Sequence, residues 1–141
     1  MTTERVKLKK NYKPLKKEKY MCPNQLEYFR QKLENWREEL VEESRETISN
    51  LQHEVRDVGD EAERATRETE NSLELRTRDR YRKLISKIEK ALTRIEEGEY
   101  GYCEVTGEPI GLGRLSARPI ATMTVEAQEA HERREKISRD D

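Results

Sequence analysis

The sequence predicts a mainly all-α chain: a long antiparallel coiled-coil helical hairpin on a small globular domain that ends in a further helix. Three observations predict it. Between Asn24 and Glu97 apolar residues return at steps of mostly three and four, the period of a helical seam. One tight break, Asp57-Val58-Gly59-Asp60, divides that stretch into two limbs. Charge is dense but balanced: 42% of residues are charged and 32% hydrophobic, yet the formal net charge is −1. Low hydrophobicity signals disorder only when net charge is also high, whereas interleaved charge over an apolar period signals exposed helices. Limbs of roughly 35 residues would each be on the order of 50 Å long. A chain of 141 residues has apolar surface for one small core and one seam. Much of such a hairpin must therefore stand in solvent or enter a partner.

The same composition excludes several classes. Near-zero net charge argues against a generic nucleic-acid binder, which is normally basic on at least one face. No apolar run approaches the ~20 residues that span a bilayer, and the N-terminus lacks the apolar core of a secretory signal. Cys22 and Cys103 stand far apart and form no disulfide framework, so a reducing cytoplasm is the expected compartment.

Residues 1–20 read as a flexible basic arm, with Lys7, Lys9, Lys10, Lys13, Lys16, Lys17 and Lys19 and a helix-interrupting Pro14. Such an arm suits a solvated tail, or contact with an acidic surface or a nucleic-acid backbone. The hairpin is expected over 21–97, with its tip at 57–65. Pro23-Asn24 opens the first limb. Its seam is Leu26, Phe29, Leu33, Trp36, Leu40, Ile48, Leu51 and Val55, with the bulk at the base. Gly59 permits a tight turn. Asp60 then suits an N-cap, with Glu61 and Glu63 in the first turn of the second limb, where the helix dipole favours acids.

The second seam is small and polar near the tip (Ala62, Ala65, Thr69, Ser72) and strong at the base (Leu84, Ile88, Ala91, Leu92, Ile95). Beside it Arg76, Arg80, Lys83 and Lys87 share one helical face. Glu74–Arg78 and Asp79–Lys83, at i,i+4, suit surface salt bridges, while the convergent basic stripe also suits a phosphorylated ligand. Gly98 ends the limb. The region 98–141 is expected to form the small domain. It opens with a turn-rich stretch, Glu99 to Gly111, with room for at most two very short strands. A short helical turn around Leu112 and Leu115 follows, stopping near Pro119. A last helix is expected over Val125 to Ile137 with Thr124 as cap, and Arg139-Asp140-Asp141 should fray. Its core is expected from Ile110, Leu112, Leu115, Ile120, Met123 and Val125. Cys103 has no base beside it in sequence, so a cysteine nucleophile is unsupported. His53 and His131 read as surface residues.

Ser72-Leu73-Glu74-Leu75-Arg76-Thr77-Arg78-Asp79-Arg80-Tyr81-Arg82-Lys83-Leu84-Ile85, with Glu99-Tyr100-Gly101-Tyr102-Cys103 and Arg114-Leu115-Ser116-Ala117-Arg118-Pro119, resembles the DksA/TraR family of bacterial transcription factors. The resemblance covers roughly residues 20 to 135. It implies a non-enzymatic factor, a monomer, that binds bacterial RNA polymerase without reading DNA sequence or touching membranes. Its hairpin would enter the secondary channel and regulate ribosomal RNA and other promoters in the stringent response, with guanosine tetraphosphate (ppGpp) as effector.

The family's tip motif, Asp-x-x-Asp-x-Ala, falls on Asp60, Glu63 and Ala65, with glutamate for the second acid. The positions matching the ppGpp site are Arg80, Leu84, Lys87 and Arg118, and a further family lysine is Gln128 here. The four cysteines of the family's zinc finger fall on Cys103, Thr106, Thr124 and Ala127. One thiol cannot make a tetrahedral zinc site, so a degenerate finger without bound zinc is expected. Two other functions compete. Tip acids could hold magnesium and promote transcript cleavage. Alternatively the hairpin could be a plain coiled-coil adaptor, although its polar seam near the tip lacks the apolar knobs an adaptor needs.

Overall fold

The computed structural model describes residues 5–56 and 63–140. Four helices carry the fold: α1 (Pro23–Arg56), α2 (Glu63–Glu97), α3 (Leu112–Ala117) and α4 (Val125–Asp140). Among the described residues there is no strand, only an isolated antiparallel bridge between Tyr102 and Pro109. The mainly helical class holds, and α1 and α2 form the long hairpin. The expected break at Asp57–Asp60 lies outside the described residues. No described helix is long and apolar enough to cross a membrane.

The chain divides into two compact units. One comprises residues 34–89 and the other residues 1–33 with 90–141. In the first, α1 and α2 run antiparallel. Glu43 and Thr47 meet the Tyr81 hydroxyl at 3.0 and 3.4 Å, and Gln52 donates to Glu74 at 3.1 Å. As numbers rise along α1, those of the α2 partners fall. Leu40, Thr77, Tyr81 and Ile88 are buried there, while Leu73 and Leu75 stay exposed. The sparse seam follows from the sequence: toward the tip it has few large apolar residues to bury.

The second unit holds the denser core. Phe29, Leu33, Ala91, Ile95, Tyr100, Cys103, Ile110, Leu115, Ala121 and Ala127 are buried. The rings of Phe29 and Tyr100 pack 5.7 Å apart, and the Tyr100 hydroxyl donates to Pro119 O at 2.7 Å. Beside them Arg30 is buried between Glu27 and Glu96. Burial works against the Glu27 charge, but donation from Arg30, Gln31 and Arg5 holds its carboxyl below the usual carboxylate range.

Three expectations about elements and core change. Val125 is not core but 45% exposed, because it is the first residue of α4, where its side chain faces solvent. Trp36, Leu112, Ile120 and Met123 are only half-buried. The last helix extends past the expected Ile137 to Asp140. Other local expectations hold. Gly98 closes α2 at φ 76°, with Glu99 N–H donating back to Arg94 O. Thr124 caps α4, its hydroxyl accepting from Ala127 N–H at 3.2 Å.

Within the second unit, residues 5–22 are held by specific contacts. Arg5 pairs with Glu27 at 3.2 Å, and the Tyr12 ring meets Tyr28 edge-on at 6.2 Å. Gln25, fully buried, donates to Leu15 O and accepts from Met21 N–H. The Tyr20 hydroxyl donates to Gly101 O at 2.6 Å and accepts from Gly111 N–H at 3.0 Å. Asn11 and Met21 take positive φ where the segment turns. None of these partners could be read from residues 1–20 alone.

Candidate functional site

Three groups of residues carry the expected function. At the tip, Asp60 lies outside the described residues. Glu63 opens α2, and Ala65 is exposed one half-turn further on. In the same unit, Arg80, Leu84 and Lys87 follow one another at i, i+4 and i+7 on one face of α2. Arg80 and Lys87 are exposed and Leu84 half-buried. Arg118 is exposed just after α3 and belongs to the other unit.

Electrostatics sorts the stripe. Lys83 is engaged by Asp79 at 3.0 Å, and Arg82 also reaches Asp79, while Glu74 accepts from Arg78 at 2.8 Å. Hydrogen bonding from Lys83 lowers the Asp79 pKa, and that from Arg78 lowers the Glu74 pKa. These pairs are the i,i+4 bridges that the spacing predicts. Arg80 lies over the Tyr81 ring at 5.5 Å, and neither it nor Lys87 pairs with an acid among the described residues. Arg76 likewise has no acid partner there and bonds only Ser72 O at 3.5 Å, so three of the four stripe cations remain open to an anion. A groove of about 670 Å³ in the same unit is lined by Ile48, Leu75, Arg78, Tyr81 and Ile85, and by none of Arg80, Leu84 and Lys87. Asp79, Arg82 and Glu89 line it as well, and its two arginines are already engaged by Glu74 and Asp79, so it offers an anion little.

The third group is the degenerate finger, and the structure brings its four positions together. The Thr106 hydroxyl and the backbone N–H groups of Thr106, Thr124 and Val105 hydrogen-bond the Cys103 sulfur. Ala127 N–H in turn donates to Thr124 Oγ1. Burial opposes ionisation of Cys103, but these donors win and bring its pKa down to about 6. The surrounding loop keeps a tight knuckle: Cys103 N–H donates to Glu108 O, Gly107 N–H to Cys103 O, and Glu104 N–H to Thr122 O. The donor set is one thiol, two hydroxyls and a methyl group, which does not fit a tetrahedral zinc ion. No group of three or more metal-ligating side chains occurs among the described residues.

Sequence reasoning missed the side chains that hold this loop from outside. Arg94 donates to Glu99 O at 3.1 Å and Tyr102 O at 2.8 Å, and Arg114 donates to Met123 O at 3.0 Å. Arg94, in the last turn of α2, offered the one usable signal, since a base there suits the free carbonyls beyond a helix end.

Two family models match. That of the DnaK suppressor protein DksA, N-terminal domain, covers residues 25–95, and that of the prokaryotic dksA/traR C4-type zinc finger covers residues 98–133. The chain is 63% identical over 133 residues to the RNA polymerase-binding transcription factor DksA of Caulobacter vibrioides, covering 94% of each. It is 47% identical over 119 residues to the protein of that name from Escherichia coli, covering 84% of this chain and 79% of that one. The structure of transcription factor DksA2 from Pseudomonas aeruginosa superposes with a TM-score of 0.74 at 42% identity, over 83% of this chain and 90% of that one. The family whose resemblance Ser72–Ile85 first carried is therefore shown, and this chain belongs to the DksA family of transcription factors.

Proposed function

We propose that this chain binds bacterial RNA polymerase, enters its secondary channel with the α1–α2 hairpin, and regulates ribosomal RNA and other promoters together with ppGpp. The observation that carries the reading is close identity, along almost the whole chain, to proteins named as RNA polymerase-binding transcription factors. A helix pair with few bulky residues toward its tip suits a narrow channel. In this reading Asp60, Glu63 and Ala65 act at the polymerase active centre. Glu63 keeps the charge of the family's second acid, but its carboxylate sits one methylene further out. Arg80 and Lys87 supply charge to ppGpp at the polymerase interface, with Leu84 and Arg118 completing the site. Arginine suits a phosphate through its forked donors, and lysine through a compact charge. The protein acts in the cytoplasm as a monomer, does not hold zinc, and is not itself an enzyme.

Transcription in vitro from a ribosomal RNA promoter with cognate polymerase tests this, with and without ppGpp. Wild type should inhibit, and more strongly with ppGpp. Asp60→Asn should lose inhibition while still binding polymerase. Lys87→Ala should keep basal inhibition and lose most of the ppGpp response. A wild-type protein without effect in either condition sinks the reading. Transcript cleavage in a stalled elongation complex would instead favour tip acids that hold a metal.

A further inference from the structure

The lysines of residues 5–20 are arranged by the fold. Within that segment stand seven lysines and Arg5 against one acid, Glu18. Because the whole chain carries only −1, the remainder is acidic, and the basic charge is segregated. Val6, Leu8, Tyr12, Pro14, Glu18 and Tyr20 are half-buried, while all seven lysines are exposed. The one acid is turned inward: Glu18 accepts from the Tyr12 hydroxyl and from Leu15 N–H, both at 2.9 Å. Donation from Leu15 and then Tyr12 lowers its pKa. Arg5 is spent on Glu27. No lysine of the segment has an ion-pair partner among the described residues.

We propose that this lysine strap is a sequence-independent docking surface for the phosphate backbone of a nucleic acid, a role separate from the polymerase contact. Three arguments select that partner. Protein–protein interfaces are depleted in lysine, whereas phosphate contacts are made by just such compact, hydrated point charges. The strap offers no exposed aromatic for stacking or base reading, because Tyr12 and Tyr20 are engaged by Glu18 and Gly101. The strap is also held by its inward contacts before any ligand arrives, so its ordering cost falls on folding and not on binding. The near-neutral chain thus acquires the basic face that its net charge conceals.

The test is fluorescence anisotropy of a short labelled mixed-sequence DNA duplex with the full chain across a salt series. About four phosphate contacts predict a log–log slope near −3.6 and a loss of affinity on the order of a hundredfold between about 50 and about 200 mM salt. The triple variant Lys7→Gln, Lys9→Gln, Lys10→Gln should flatten the slope by about 2.7. The matched triple on exposed α4 positions, Arg133→Gln, Arg134→Gln, Lys136→Gln, should leave it unchanged. Circular dichroism should match wild type for both, since the substituted residues are exposed. Absent binding at low salt, equal losses in the two triples, or tighter binding to polyglutamate than to the duplex would each overturn the proposal, the last by assigning an acidic protein surface instead.

Discussion

Removing one oxygen atom tests whether residues 5–22 belong to the fold. The Tyr20 hydroxyl donates to Gly101 O and accepts from Gly111 N–H, bridging backbone groups 81 and 91 residues away. Tyr20→Phe keeps the ring and its perpendicular contact with Tyr102, whose centroid lies 5.5 Å away. It leaves two partly buried backbone groups without this partner. Each lost hydrogen bond costs about 1 kcal/mol net, so the pair should cost about 2 kcal/mol. At roughly 2.1 cal/mol/K per residue, 141 residues carry an unfolding entropy of about 0.3 kcal/mol/K, and the melting temperature should fall by about 7 °C. Scanning calorimetry of the full chain measures it directly. A fall of less than about 1 °C would show that the hydroxyl bridge contributes nothing, and that the strap is not anchored through Tyr20.

Two further outcomes concern the finger. A strong zinc chelator should leave both the melting temperature and the helical circular dichroism unchanged, and a large drop would show that a metal holds this region. The pH dependence should carry the signature of Cys103. Its folded-state pKa is about 6 against an ordinary 9.0, so between those values the unfolded chain binds more protons and stability rises with pH. Cys103→Ser should flatten that rise, by at most about 4 kcal/mol across the window. Parallel slopes in the two proteins would refute hydrogen-bonded stabilisation of the thiolate.

The parts of the fold legible in sequence are those with a period. Phe29, Leu33 and Leu40 on α1, and Ile88, Ala91 and Ile95 on α2, are buried as their three-and-four spacing requires. The Thr124 cap and the Gly98 stop were legible because each is a local device whose partner lies within a few residues. The stripe of Arg76, Arg80, Lys83 and Lys87 was legible as a face, but which of its members stay unpaired required the geometry of Asp79. Between Gly98 and Thr124 there is no period to follow. Tyr100 and Ala121 are buried there by contacts that depend on how the loop closes. The strap is the extreme case. Its apolar and polar anchors alternate among lysines, and their partners, Glu27, Gly101 and Gly111, leave no trace in the local sequence.

The finger region raises a physical question that its closure answers. A turn-rich loop has too small an apolar core to hold itself, and a metal is one ordinary remedy. Here the Cys103 sulfur is the acceptor for a converging set of N–H and hydroxyl donors, which ties the two sides of the knuckle together. The rest of the constraint comes from side chains outside the knuckle. Tyr20 reaches Gly101 and Gly111, Arg94 reaches Glu99 and Tyr102, Tyr100 reaches Pro119, and Arg114 reaches Met123. Each adds a hydrogen bond to the loop backbone, beyond the loop's own bonds from Ile110 N–H to Gly101 O and from Tyr102 N–H to Glu99 O. These ties originate from α2, α3, the strap and the loop itself, so together they fix the loop from several sides. The positions of the family's metal ligands are occupied here by Cys103, Thr106, Thr124 and Ala127. Both threonines have partners inside the fold, Thr106 as a donor to the sulfur and Thr124 as the cap of α4.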